Sequence, residues 1–145
     1  MVKYKHTQIG YAPIAILLFL ITILWAPVLL DAYSGYHIFA FIVTGLLFIC
    51  FLLLGTLTVE VDEKFLRICL GIGIVRRKFL LHDIVSVKKV KNHWLCGWGI
   101  RIWFWPYMII YNVSGYDAIE LKMKNNRIYR VGTDDPESLL KAIDK

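Results

Sequence analysis

The sequence predicts an α+β membrane protein: an N-terminal two-helix transmembrane hairpin, then a β-domain of antiparallel strands capped by a C-terminal α-helix. Three observations predict it. Two uncharged apolar runs of spanning length stand near the start, apolar and polar residues alternate after Gly55, and the final residues carry a capped amphipathic pattern.

The first run, "APIAILLFLITILWAPVLL", covers residues 12–30, and the second, "IFAFIVTGLLFICFLLLG", covers residues 38–55. A helix needs about 20 apolar residues to cross a ~30 Å hydrocarbon layer, so each run suffices. They account for the excess of the 58% hydrophobic share over the roughly 45–50% of ordinary globular chains, and for a mean hydropathy of +0.58. The linker "DAYSGYH" holds only a turn, so residues 12–55 form a hairpin. A cleaved signal peptide is the alternative for the first run, but no small-residue cleavage site follows it. Basic residues flank the hairpin on one side only: Lys3 and Lys5 before it, Lys64, Arg67, Arg76, Arg77 and Lys78 after it. The positive-inside rule then places both termini in the cytoplasm, with residues 1–11 as a cytoplasmic tail and 56–145 as a cytoplasmic domain.

In "TLTVEVDEKFLRICLGIGIVRRKFLL", Leu57, Val59 and Val61 oppose Thr58 and Glu60, and Asp62-Glu63-Lys64 makes a turn. Strands follow over residues 65–70 and 74–81, punctuated by "GIG" at 71–73. Val85, Val87 and Val90 extend the strand pattern, and "AIELKMK", "NNR" and "IYRVGT" form a hairpin. Six or seven antiparallel strands result. At the end, Asp134 or Asp135 supplies an N-cap, Pro136 stands near the first helical position, and Leu139, Leu140 and Ile143 form one apolar stripe. This helix covers an open end of the curved sheet.

The pieces "LHDIVSV" (81–87), "GWGIR" (97–101) and "GTDDPESL" (132–139), following two spans in this order, resemble small bacterial membrane proteins with a pleckstrin-homology-like (PH-like) domain. The resemblance covers about residues 57–143. It implies a PH-like barrel or sandwich of two roughly orthogonal sheets with a capping helix, in a bacterial cell membrane. It implies no ligand, because fold and function separate readily.

From Lys64 to Arg101 nine basic residues (64, 67, 76, 77, 78, 88, 89, 91 and 101) face one acid, Asp83. Arg76, Arg77, Lys78, Lys88, Lys89, Lys91 and Arg101 form a candidate basic patch for lipid head groups. Juxtamembrane topology and solvated strand faces account for the same charges. The turn between the first two strands of the domain is net acidic, unlike the basic loop of phosphoinositide-binding PH domains. His82-Asp83 is read as neighbours on opposite strand faces and so not a catalytic dyad. Cys50, Cys69 and Cys96 are scattered, with no metal-ligand spacing. No nucleophile, phosphate-loop or paired-carboxylate motif appears, so the sequence points to no enzyme and no cofactor. Basic residues held close to a bilayer also make nucleic acid the least expected partner.

"NHWLCGWGIRIWFWPYMIIYN" (92–112) holds four of the five tryptophans. It is no third span: Arg101 would lie near its middle, Pro106 interrupts it, and the clean apolar run is short. As a strand it has two faces. Trp98, Ile100, Ile102 and Phe104 would point into the core; Trp94, Trp103, Trp105 and Tyr107 would point outward, to a bilayer or a partner. A small domain has too little interior for four tryptophans, which favours outward exposure. The expectation is a non-enzymatic interaction or assembly module contacting membrane lipids, a second copy (homo-oligomer) or another membrane protein. The alternative is a lipid-handling protein with a pocket in its PH-like domain.

Overall fold

The computed structural model describes residues 2–30, 35–93 and 99–144. The two apolar runs become helices α1 (Tyr11–Leu29) and α2 (Tyr36–Leu54), within two residues of the expected bounds. At 1.5 Å per residue, 19 residues give about 28 Å, the thickness of a bilayer's hydrocarbon core. Both helices are long and apolar enough to cross a membrane, and Ala40 is the one residue in them that the chain itself buries fully. They join through Trp25, whose indole Nε1 donates to Thr44 Oγ1 at 3.0 Å and whose ring meets Phe41 edge-on at 4.8 Å.

The N-terminal segment corrects one expectation. Residues read as a tail form strand β1 (Val2–Ile9), which pairs antiparallel with β2 (Thr56–Asp62) on the far side of the hairpin. Its buried side is largely polar, which hid it from a search for apolar alternation. Gln8 is buried and donates through Nε2 to the Ser114 carbonyl at 2.9 Å. The Gly10 amide donates to the Gly55 carbonyl at 2.8 Å, clasping the two hairpin ends together.

β2, β3 (Phe65–Leu70) and β4 (Val75–Leu80) follow as the alternation predicts, giving a first sheet in the order β1-β2-β3-β4. A 3-10 turn (Leu81–Asp83) leads to β5 (Ile84–Lys91), then β6 (Gly99–Phe104), β7 (Tyr107–Asn112), β8 (Asp117–Met123) and β9 (Ile128–Gly132). These form a second sheet in the order β5-β8-β9-β7-β6. Of the expected antiparallel barrel or sandwich, the barrel is excluded, since the sheets are separate and not closed; the pairing is also not all antiparallel, because β9 inserts between β8 and β7 and runs parallel to β7. Alternation reports faces and not partners, so strand order was beyond its reach.

The core lies between the sheets. Leu57, Val59, Val61, Leu66, Ile68 and Leu70 face Tyr111, Ile119, Leu121 and Val131. Helix α3 (Pro136–Ile143) packs on β1, β5 and β8, seals that seam, and buries Leu139 completely. Its N-cap is Asp135, whose carboxylate accepts the Ser138 amide at 3.2 Å; the Ser138 hydroxyl and then this amide hold the Asp135 carboxyl below the usual carboxylate range.

The sheets cross. Moving along β1 away from Gly10, one meets Ser114 just after β7 at Gln8, then Asp134 just after β9 at His6. On the opposite edge, moving up β4, Arg77 lies beside Tyr111 of β7, and the Phe79 ring lies 4.7 Å from Tyr129 of β9. Above them, Lys124 of the β8–β9 turn donates its amide to the Asp83 carbonyl. The second sheet is therefore stacked across the first with β6 as its edge on the helix side. Gly99, which opens β6, sits against Leu54 at the end of α2, where an added Cβ would lie 4.0 Å from Leu54 Cδ1.

Candidate functional site

β6 is an edge strand whose side chains after Gly99 are exposed throughout. Its register with β7 pairs Ile100 with Tyr111, Ile102 with Ile109 and Phe104 with Tyr107. These residues share the core-side face with Tyr111, as alternation implies. They are nevertheless exposed, Ile102 by 51% and Phe104 by 80%, because β6 extends past the cover that the first sheet supplies. The inward reading of Ile100, Ile102 and Phe104 thus has the face right and the burial wrong. Trp98 lies outside the described residues.

Of the outward set, Trp94 also lies outside the described residues. Trp103 is on the outer face, paired with buried Met108, and its Nε1 donates to the Trp105 carbonyl at 2.9 Å. Trp105 is 90% exposed at the hairpin tip, before a cis peptide bond to Pro106; Tyr107 is half exposed but pairs with Phe104, so it stands on the core-side face and not on the outward face expected for it. Arg101 stands exposed on the same face as Trp103. The result is an apolar ridge with one cation, Ile100 to Tyr107, along the helix-side edge of the domain. An edge strand normally carries charge or cover against unwanted pairing, and this one carries neither over most of its length.

The predicted basic patch divides. Arg76, Arg77 and Lys78 lie on β4 in the first sheet; Lys88, Lys89 and Lys91 lie on β5, the edge of the second sheet opposite β6. Lys89 Nζ reaches Glu137 Oε1 at 3.5 Å, and Lys78 Nζ sits 3.5 Å from the centroid of the Phe65 ring. Lys88 and Lys91 stand opposite Glu120 and Asp117 in the β5–β8 register. Arg77 turns to the core rim beside Tyr111, whose phenol is pushed up by burial while the guanidinium pulls it down. Arg76 is exposed near the hairpin, and its Nε donates to the Gly73 carbonyl at 2.7 Å.

His82 and Asp83 do touch, Nε2 to Oδ1 at 3.0 Å, because they occupy a 3-10 turn and not the strand assumed for them. Both are solvated. Among the described residues no group of three His, Cys, Asp or Glu side chains is arranged to hold a metal ion.

Sequence reasoning placed the β3–β4 turn at "GIG", residues 71–73, and missed what its tip carries: Ile72 and Ile74, the latter expected to open the next strand, are 66% and 68% exposed. The available signal was composition: turn tips favour Gly, Asn, Asp, Ser and Pro, and this one alternates Gly with Ile.

No family model matches the chain, and no curated protein or solved structure matches it.

Proposed function

We propose that the chain is a non-enzymatic interaction module anchored by a transmembrane hairpin, its β-domain lying on the cytoplasmic face of the bilayer. The observation that carries this is the β6 ridge: an exposed apolar edge with Trp103, Trp105 and Tyr107, on the side of the domain from which α1 and α2 leave. Spanning is supported by two apolar helices that the chain itself leaves largely unburied, since contiguous exposed apolar surface of this extent marks a membrane or partner contact. β1 and β2 must share one side of the membrane to pair, so an even number of crossings is required. Lys3, Lys5 and the basic residues after α2 make that side the cytoplasm. The layout is PH-like in its crossed sheets and terminal helix, and departs from that pattern in its parallel β7–β9 pair.

In this reading the tryptophan and tyrosine rings of the ridge lie at head-group level, where one end of each ring is wet and the other apolar. The non-enzymatic assignment rests on the absence of a catalytic motif in the sequence. The alternative, a ligand pocket within the β-domain, is less favoured. An apolar cavity of about 240 Å³ is lined by Pro13, Leu17, Leu47, Phe51, Leu54 and Gly99, chiefly helix residues.

The test is made on the whole chain in vesicles with and without brominated lipid. Trp103 and Trp105 should contribute blue-shifted emission that brominated lipid quenches, so replacing both by Phe removes a quenchable fraction. Trp25 in α1 remains quenchable in either case, so a quenched fraction that the double replacement leaves undiminished means that β6 does not face lipid. Size measurement in nanodiscs then decides whether a second copy covers the ridge.

A further inference from the structure

The end of α2 is bound to the β3–β4 turn. The Ile72 amide donates to the Leu52 carbonyl at 3.1 Å, and the Gly71 amide donates to the Thr56 carbonyl at 2.7 Å. Leu52 belongs to the last turn of a helix whose length matches the hydrocarbon core, so its carbonyl lacks a helical partner where water is scarce. The turn supplies that partner. Gly71 makes the approach possible, with φ at +56° and a hypothetical Cβ only 2.2 Å from Leu53 O.

This fixes depth. A residue bonded to Leu52 lies about 3 Å inside the end of the helix at 1.5 Å rise per residue. Ile72 and Ile74, exposed in the isolated chain, are therefore held at the margin of the hydrocarbon. Arg76 comes next. It pairs with Cys69, which pairs with Thr58, two strand residues beyond Thr56. Two residues of strand rise about 7 Å. The head-group layer beyond the hydrocarbon is about 5–7 Å thick on each side. The Arg76 backbone thus stands at the outer margin of that layer, and its side chain reaches back toward the turn, Nε donating to the Gly73 carbonyl; beside it is an open basin of about 380 Å³ lined by Thr58, Glu60, Cys69, Arg76, Arg77 and Lys78. Arg67 also lines the basin, but its charge is engaged by Glu60 at 3.5 Å and Asp62 at 2.7 Å; Lys78 lies over the Phe65 ring and Arg77 beside Tyr111, which leaves Arg76 as the cation nearest the turn.

We propose that the β3–β4 turn is a lipid-inserted foot: Ile72 and Ile74 enter the acyl–glycerol boundary, and Arg76 engages the phosphate of an anionic lipid in the same leaflet. The foot is distinct from the β6 ridge and uses none of its residues, though it rests on the reading of α1 and α2 as membrane spans. Its apolar and cationic parts stack in the order that a leaflet presents them. That match of charge and depth selects a bilayer over a protein partner.

The experiment uses the whole chain with Cys50, Cys69 and Cys96 replaced, reconstituted in phosphatidylcholine vesicles with or without phosphatidylglycerol. A single cysteine replaces Ile72, Ile74, Lys64 or Gly45 and carries an environment-sensitive fluorophore. Labels at 72 and 74 should emit to the blue and be quenched by lipid-borne nitroxides. The label at 64, in the turn at the opposite end of the same sheet, should report water. Labels at 72 and 74 that behave like the one at 64 overturn the foot. A label at 45, in the middle of α2, separates the two failures. Dry at 45 and wet at 72 and 74, the foot alone falls; wet at 45, the spans fall and the foot with them. Phosphatidylglycerol should deepen the shift at 74, and Arg76→Gln should abolish that extra shift. An extra shift that persists in Arg76→Gln overturns the phosphate contact.

Discussion

Replacing Gly71 by alanine tests whether the β-domain is clamped to the helical hairpin or merely tethered to it. The added Cβ would stand 2.2 Å from Leu53 O and 2.3 Å from Leu52 O. Both are backbone atoms of a helix end and cannot swing aside as a flexible side chain would. A left-handed conformation costs an L-residue about 1–2 kcal/mol before any clash. Relief of the clash requires the turn to retreat, which breaks Gly71 N–H to Thr56 O and Ile72 N–H to Leu52 O. Each such bond contributes about 0.5–1.5 kcal/mol net. The strain and the two lost bonds together come to about 2–5 kcal/mol. Equilibrium unfolding of the whole chain in detergent, followed by near-ultraviolet circular dichroism, measures the loss. Gly45→Ala is the control, since a Cβ there meets nothing within 4 Å and helix propensity alone makes it neutral or stabilising by up to about 1 kcal/mol. If Gly71→Ala unfolds within about 0.5 kcal/mol of wild type, the ordinary spread of surface substitutions, the clamp does not exist.

Three further outcomes follow from the same structure. Leu139→Ala empties the site that α3 fills between the sheets and should cost about 2–5 kcal/mol by chemical denaturation, whereas Lys141→Ala on the exposed side should not. Thr44→Val removes the acceptor for the Trp25 indole while keeping shape, and should weaken the helix pair by about 0.6–1.7 kcal/mol in a steric-trapping measurement. Acid should loosen α3 first. The Ser138 hydroxyl, and after it the Ser138 amide, lower the Asp135 carboxyl in the folded chain, so its contribution is present above the ordinary aspartate value and is lost as pH falls through the lowered one. Hydrogen exchange of the α3 amides should therefore accelerate on acidification below about pH 4 relative to Asp135→Asn.

The parts of this fold that were legible in the sequence are those set by local pattern. The two helices, the Asp62-Glu63-Lys64 turn, the β8–β9 hairpin and the Pro136 start of α3 each follow from periodicity or turn chemistry within a short window. What escaped depends on residues far apart. β1 hides Tyr4, His6 and Gln8 inward, a polar series that no hydrophobic count would select, and its partner lies beyond the hairpin. The insertion of β9 beside β7 is a matter of sheet order, on which alternation is silent. In the aromatic segment the period assigned Ile102 and Trp103 to opposite faces correctly. It could not reveal that β6 reaches beyond the first sheet and leaves both faces bare. The basic residues were read as one patch because they are neighbours in sequence; two sheets carry them to different sides of the domain.

Pairing β1 with β2 also sets a timetable for the newborn chain. The Thr7 and Thr58 hydroxyls meet at 2.9 Å across 51 positions of sequence. At about 5–20 residues per second, the first strand waits roughly 3–10 s for its partner while both helices are made. A strand of alternating apolar residues would spend that interval as an aggregation hazard or be drawn into the membrane with the helix behind it. "VKYKHTQI" does neither, because its lysines, histidine, threonine and glutamine keep it in water until Thr56–Asp62 emerges. The polarity that hid the strand from pattern reading is what lets it wait in water for a partner made only after both helices.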